Sequence, residues 1–177
     1  MFELDKNYIL RRASEYGFIR DTLEKVYRLV DILEYINAEP KIKDKLALKG
    51  GTAINMTIFD LPRLSVDIDI DYLINCSKDA MFIDREMISK ILSVYMESGG
   101  YKLNSKTKNP HSLDSWVYEY LNFGGNKDTL KIEINYSLRT HVFPAQAKSI
   151  TVKNLESEHK LNCLNSIEIF ASKSMLC

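Results

Sequence analysis

The chain has 177 residues, of which 45% are hydrophobic and 27% are charged. This composition fits one globular domain and argues against a disordered or fibrous protein. The 24 basic and 24 acidic residues cancel, so the net charge gives no sign of the strongly basic surface that dedicated nucleic-acid binders usually carry.

Cysteines and apolar runs give further limits. Three cysteines without a CxxC pair or a nearby group of histidines fit neither a disulfide framework nor a zinc site. No run approaches the roughly 18 apolar residues of a membrane span, and the first residues carry charges where a signal peptide would be apolar. We therefore expect a cytoplasmic protein with no membrane partner.

The first half of the chain predicts two helices around a strand and a turn. Apolar residues recur at three- and four-residue spacing from Asp21 to Ile36, which predicts an amphipathic helix. "LALK" is a short apolar run that ends at Gly50-Gly51, and it predicts a strand entering a tight turn. "TAINMTIF" then predicts a short helix with Thr52 near its first turn.

The second half alternates strands and helices. "LSVDIDIDYL" has the period of two of a strand, and Asp84 to Met96 carries the apolar stripe of a second long helix. "DSWVYEYLNF" and "TLKIEINYSLR" flank the turn "GGNKD" and predict a β-hairpin. "SITVKN" predicts a further short strand, and "NSIEIFASKSMLC" begins like a helix. The sequence therefore predicts an α+β domain in which helices flank a mixed β-sheet.

Three aspartates share one face of the predicted strand "SVDIDID". Because side chains alternate across a strand, Asp67, Asp69 and Asp71 lie on one face, about 6.6 Å apart from one to the next. A solvated edge strand would tolerate them, but like charges at this spacing repel unless a cation neutralises them. Read alone, the motif leaves metal binding and a solvated face equally open.

Glu133 favours metal binding. It lies on the polar side of an otherwise apolar strand, and a neighbouring strand could bring it beside Asp67 and Asp69. Such an oxygen-rich pocket suits Mg²⁺ and can hold two ions for an in-line phosphoryl displacement. The turn Gly50-Gly51-Thr52 could cradle a phosphate at a helix N-terminus, although a glycine pair is also simply a turn.

The ordered set "KGGTAI", "LPRLSVDIDID", "LKIEINYSLR" and "IEIFASK" resembles the AbiEii-type abortive-infection toxins, a branch of the DNA polymerase β-like nucleotidyltransferase superfamily. The resemblance runs from about Leu46 to Lys173 and implies that superfamily's fold. It implies a glycine turn for the nucleotide triphosphate, an Asp-x-Asp pair for two Mg²⁺ ions and a third carboxylate from a neighbouring strand. The matching positions are Gly50, Gly51 and Thr52, then Asp67 and Asp69, then Glu133.

Further positions follow from the same resemblance. Arg63 and Ser65 fall in the family's "R-x-S-x-D-I-D" pattern and could contact phosphate. Lys173 matches a lysine on a helix after the sheet that pairs with the triphosphate, so we expect it to act in catalysis and in nucleotide binding. Asp71 is an additional acid, which either supports the metal ligands from behind or is solvated.

The sequence departs from the family pattern at its end. Family members usually continue past that lysine with a helical region carrying an Arg-Asp-x-x-Asp-like segment, whereas this sequence ends at Cys177. We therefore expect an N-terminal helical region at 1–45 and a nucleotidyltransferase core at 46–177, with the family's C-terminal helical region missing. If the later aspartate is required, the chain would bind nucleotide and metal yet be a poor catalyst.

The resemblance implies a Mg²⁺-dependent nucleotidyltransferase toxin of a bacterial toxin–antitoxin or abortive-infection system. Such a toxin would transfer a nucleotide from an NTP to RNA, for example to the 3′ end of a tRNA, and a cognate antitoxin would be encoded nearby. Two alternatives stay open: an NTP- and metal-binding module without transfer activity, and a two-metal nuclease or phosphohydrolase, which would not need a triphosphate cradle. The RNA backbone could contact scattered lysines, although such lysines are usually solvated: Lys102, Lys106, Lys108 and Lys127.

Overall fold

The computed structural model describes residues 5–57, 67–138, 140–152, 155–156 and 160–174, with side chains undescribed at 151, 152, 155, 156 and 172–174. Helices in these residues are α1 (Lys6–Tyr16), α2 (Arg20–Ala38), α3 (Gly50–Thr57), α4 (Lys78–Ser98) and α5 (Ser166–Ser174). Strands are β1 (Leu46–Lys49), β2 (Asp67–Tyr72), β3 (Lys102–Leu103), β4 (Leu113–Leu121), β5 (Lys127–Asn135), β6 (Gln146–Lys148), β7 (Thr151–Val152), β8 (Leu155–Glu156) and β9 (Leu161–Cys163).

Seven of these strands form one mixed sheet in the order β3-β4-β5-β2-β1-β9-β6, and β7 pairs with β8 separately. β2 lies near the middle, antiparallel to β1 and parallel to β5. The parallel pairing requires a crossover, which α4, β3 and β4 provide. The predicted α+β class with a mixed sheet is confirmed.

Most predicted elements are present with small changes at their ends. The helix predicted from Asp84 begins at Lys78, because the Ser77 hydroxyl accepts a hydrogen bond from the Ala80 amide at 3.3 Å and caps it. The predicted strand "SITVKN" is reduced to β7 in the described residues. β6 and β9, of three residues each, are too short to show a period and were not predicted.

One face of β4 and β5 is buried under the long helices. Every second residue is buried from Asp114 to Tyr120 and from Leu130 to Ile134. The helix α4 is tied to this face by Arg85, which donates to Asp114 at 2.7 Å. The side chains between them are half-buried, so the opposite face of these strands stays open to solvent.

The helices α1 and α2 join the same hydrophobic core as the sheet. Tyr35 of α2 stacks on Tyr95 of α4, with ring centroids 3.8 Å apart. The predicted division between residues 1–45 and 46–177 stays a prediction, although β1 begins at Leu46. None of the helices in the described residues has the length and apolarity that crossing a bilayer requires.

Candidate active site

A row of polar side chains crosses the open face of the sheet. In the strand registers, Asp69 lies opposite Lys49 on one side and opposite Glu133 on the other, and Glu133 lies opposite Ser115. Residues paired across neighbouring strands point to the same face. The register therefore places Asp69 and Glu133 side by side, although 63 residues separate them in the chain.

Asp67 lies in the next row of the same face. Its partner on β5 is Lys131, and its side chain is exposed, whereas Asp69 is half-buried. Burial raises the pKa of Asp69 above its usual value, and the negative charges of Glu133 and Asp67 raise it further, against the opposing effect of Lys49 and Lys131. The charges of both neighbouring carboxylates therefore act on Asp69, and a cation bound beside it would relieve this repulsion.

Glu133 has a cationic partner that the sequence analysis did not single out. The Lys131 ammonium lies 2.9 Å from a Glu133 carboxylate oxygen. Burial alone would raise the pKa of Glu133, but hydrogen bonds from Lys131 and Ser115 and the charges of Lys131 and Lys49 lower it below its usual value. Lys131 could have been recognised, because two residues of spacing place it on the same strand face as Glu133.

Asp71 is a structural group and not a solvated one. Only 1% of the residue is exposed. Its carboxylate lies 2.5 Å from the Lys49 ammonium and accepts a hydrogen bond from the Asn135 amide at 3.0 Å. Asp71 thus ties β1, β2 and β5 together directly behind the row that contains Asp69 and Glu133. Of the two predicted alternatives, the solvated one is wrong.

The glycine turn packs against the carboxylates. Gly50 has φ +73°, a conformation that favours glycine, and a Cβ there would lie 3.2 Å from Cβ and Cγ of Asp69. Gly51 follows in the first turn of α3. The buried Thr52 hydroxyl donates to the carbonyl of Asp67 at 2.5 Å, which fixes the helix to the start of β2.

The nucleotide-binding role of these residues stays a prediction, and so do the remaining assignments. Arg63 and Ser65 lie outside the described residues. Lys173 lies in α5, which packs against α3, but its side chain is outside the described part of the structure.

The donor chemistry of the three predicted carboxylates fits Mg²⁺. Asp67, Asp69 and Glu133 offer carboxylate oxygens alone, the ligands that this hard cation prefers. Within the described residues, no three His, Cys, Asp or Glu side chains stand close enough together to hold a metal ion as they are placed. An ion bound by all three carboxylates would therefore replace Lys131 as the partner of Glu133.

Comparison with known proteins shows the family and the fold of the chain. The family model described as "Nucleotidyl transferase AbiEii toxin, Type IV TA system" matches residues 31–176. No curated protein matches the sequence.

Two solved structures have a similar fold. MenT4, a nucleotidyltransferase toxin from Mycobacterium tuberculosis, superposes with a TM-score of 0.63 at 14% identity, over 97% of this chain and 58% of that one. JHP933 from Helicobacter pylori gives a TM-score of 0.58 at 20% identity, over 88% of this chain and 57% of that one. The chain thus spans less than two thirds of either structure. The family match covers most of the sequence, and the chain belongs to the AbiEii nucleotidyltransferase toxin family.

Proposed function

We propose that this chain carries a Mg²⁺-dependent nucleotidyltransferase site that transfers a nucleotide from an NTP to RNA. The observation that carries the proposal is the juxtaposition of Asp69 and Glu133 on parallel neighbouring strands, with Gly50 packed against Asp69. A glycine turn at a helix N-terminus suits a phosphate, and adjacent carboxylates suit the ions that accompany it.

Each residue has a separate role in the proposed reaction. Asp67 and Asp69 would hold the ions, and Glu133 would complete the ligand set. Bound Mg²⁺ would neutralise charge on the triphosphate and lower the pKa of an attacking hydroxyl. The backbone N–H groups of the Gly50-Gly51 turn would orient the triphosphate.

The proposed reaction is a displacement at the α-phosphorus. The acceptor hydroxyl oxygen forms a bond to this phosphorus, the bond to the leaving oxygen breaks, and pyrophosphate departs. The lowered pKa of Glu133 makes its carboxylate a weak base, so its main role would be to hold the ion beside the acceptor hydroxyl, and the hydroxyl proton would pass to water. Lys173 would pair with the triphosphate.

The acceptor and the biological setting belong to the same proposal. The acceptor is RNA, with the 3′ end of a tRNA as the first candidate, and its modification would stop translation in the cytoplasm. A type IV toxin–antitoxin family implies a cognate antitoxin.

Incubation of the chain with labelled NTPs, Mg²⁺ and total RNA tests the function. We expect labelled RNA, and we expect Asp69→Asn and Glu133→Gln each to reduce labelling by at least about 100-fold, because each removes a carboxylate from the centre of the site. Glu86→Gln removes an exposed carboxylate from α4 and should leave labelling unchanged.

Other outcomes would contradict the proposal. Shortened RNA would indicate a nuclease that uses the same carboxylates. NTP binding without any labelled product would indicate a nucleotide-binding module. Full labelling by Asp69→Asn would show that the active site lies elsewhere.

A further inference from the structure

The open face of the sheet continues beyond the candidate active site. From Glu133 it crosses β4 towards the sheet edge at β3. On β4 this face carries Ser115, Val117 and Glu119, which are half-buried, whereas the residues between them are buried in the core. An accessible surface therefore runs directly from the carboxylates to the edge of the sheet.

Lysines stand on this surface at the positions given by strand pairing. Lys108 forms a bridge with Ser115, which is the partner of Glu133. Lys102 is paired with Glu119, and Lys127 begins the strand that contains Glu133. Pairing places all three on the face of Glu133.

The distances suit an extended ligand. Neighbouring strands are about 4.8 Å apart, so the backbone of Lys108 lies about 10 Å from that of Glu133. Lys127 precedes Glu133 by six residues, which corresponds to about 20 Å along the strand. Lys102 and Lys127 also line one cavity of about 340 Å³, together with Arg28 and Tyr120 from the helix side of the sheet.

These lysines are available to a ligand. Lys102, Lys106, Lys108 and Lys127 are all exposed. In the part of the chain that the structure describes, the ion pairs with lysine are formed by other lysines: Lys25, Lys45, Lys49 and Lys131. The neighbouring acid, Glu119, accepts a hydrogen bond from the Asn104 side chain at 2.7 Å.

We propose that this lysine face, defined by Lys102, Lys108 and Lys127, binds the phosphate backbone of the RNA acceptor and directs its end towards Glu133. This inference rests on the proposed function, because it assigns the acceptor of that reaction a path to the site. Polynucleotide is the ligand that fits, since the lysines are spread over a length that spans several successive phosphates and end at the carboxylates.

Direct RNA binding tests this surface without any catalytic step. Fluorescence anisotropy of a labelled tRNA mixture is measured in EDTA, without NTP, over a range of salt concentrations. The variant Lys102→Ala/Lys108→Ala/Lys127→Ala should raise the Kd about tenfold and reduce the slope of log K against log salt by about two to three. NTP affinity should not change.

A matched variant controls for total charge. Lys41→Ala/Lys43→Ala/Lys90→Ala also removes three exposed lysines, and none of them lies on the lysine face. We expect it to bind RNA as the wild type does. Circular dichroism and thermal unfolding establish that both variants are folded.

Several outcomes would overturn the inference: an unchanged Kd for the first variant, equal weakening by both variants, a parallel loss of NTP affinity, or no RNA binding by the wild type. RNA binding that depends on the lysine face without nucleotide transfer would support the surface and contradict the proposed function. Transfer to a protein acceptor without RNA binding would overturn the surface and retain the transferase chemistry.

Discussion

Replacing Gly50 by alanine tests the contact between the glycine turn and Asp69. With φ +73°, an alanine at this position carries a left-handed strain of about 1–2 kcal/mol. Its Cβ would also lie 3.2 Å from Cβ and Cγ of Asp69, and such overpacking typically costs about 1–3 kcal/mol more. Asp69 must move to accommodate the methyl group.

Gly17 provides the matched control. It has φ +68°, and a Cβ there would meet nothing within 4 Å. Gly17→Ala should therefore lower the free energy of unfolding by about 1–2 kcal/mol and leave nucleotide transfer unchanged. Gly50→Ala should lower it by about 2–5 kcal/mol and also reduce transfer and Mg²⁺ binding.

Urea unfolding gives the free energy of unfolding. The labelled-NTP assay measures nucleotide transfer, and calorimetry measures Mg²⁺ binding. The reasoning is refuted if the two variants lose equal stability and Gly50→Ala still transfers at the wild-type rate. That result would mean that the turn does not press on Asp69.

Three further predictions concern the charges of the site. Asp71→Ala should lower the free energy of unfolding by about 2–4 kcal/mol in urea, because it leaves the half-buried Lys49 ammonium without its partner; a loss below about 0.5 kcal/mol would contradict this. The pKa of Asp69 is raised in the folded protein. Ionisation of Asp69 therefore lowers the free energy of unfolding as the pH rises from the unfolded-state pKa to the folded-state pKa. Without Mg²⁺, Asp69→Asn should therefore raise Tm at pH 8 but not at pH 3. Mg²⁺ should raise the Tm of the wild type and not that of the variant. A lower Tm of the variant than of the wild type at pH 8 would be evidence against repulsion between the carboxylates. Lys131→Met should raise the pKa of Glu133 and tighten Mg²⁺ binding several-fold in calorimetry, because the lysine competes with the ion; weaker binding would show that Lys131 supports the ligands instead.

Local patterns were sufficient for the elements that build the site. The alternation in "SVDIDID" predicts β2 and the shared face of its aspartates, and the apolar period of two in "LKIEINY" predicts β5. Both patterns are strong because one face of each strand is buried in the core. Short elements such as β6 and β9 carry no such period.

Contacts between distant strands could not be derived in the same way. The sequence leaves the role of Asp71 open and does not single out Lys49, and only the antiparallel register of β1 and β2 brings the half-buried Lys49 to the buried Asp71. Register depends on how the whole sheet assembles, so a local pattern does not determine it.

The parallel pairing of β2 with β5 has a consequence for synthesis of the protein. The ribosome makes β2 well before β5, and α4, β3 and β4 lie between them. Asp69 can meet Glu133 only after the whole crossover has emerged, since contacts so distant in the chain form late. The juxtaposition of Asp69 and Glu133 therefore exists only in a protein synthesised at least as far as β5, and the proposed site cannot assemble on a shorter nascent chain.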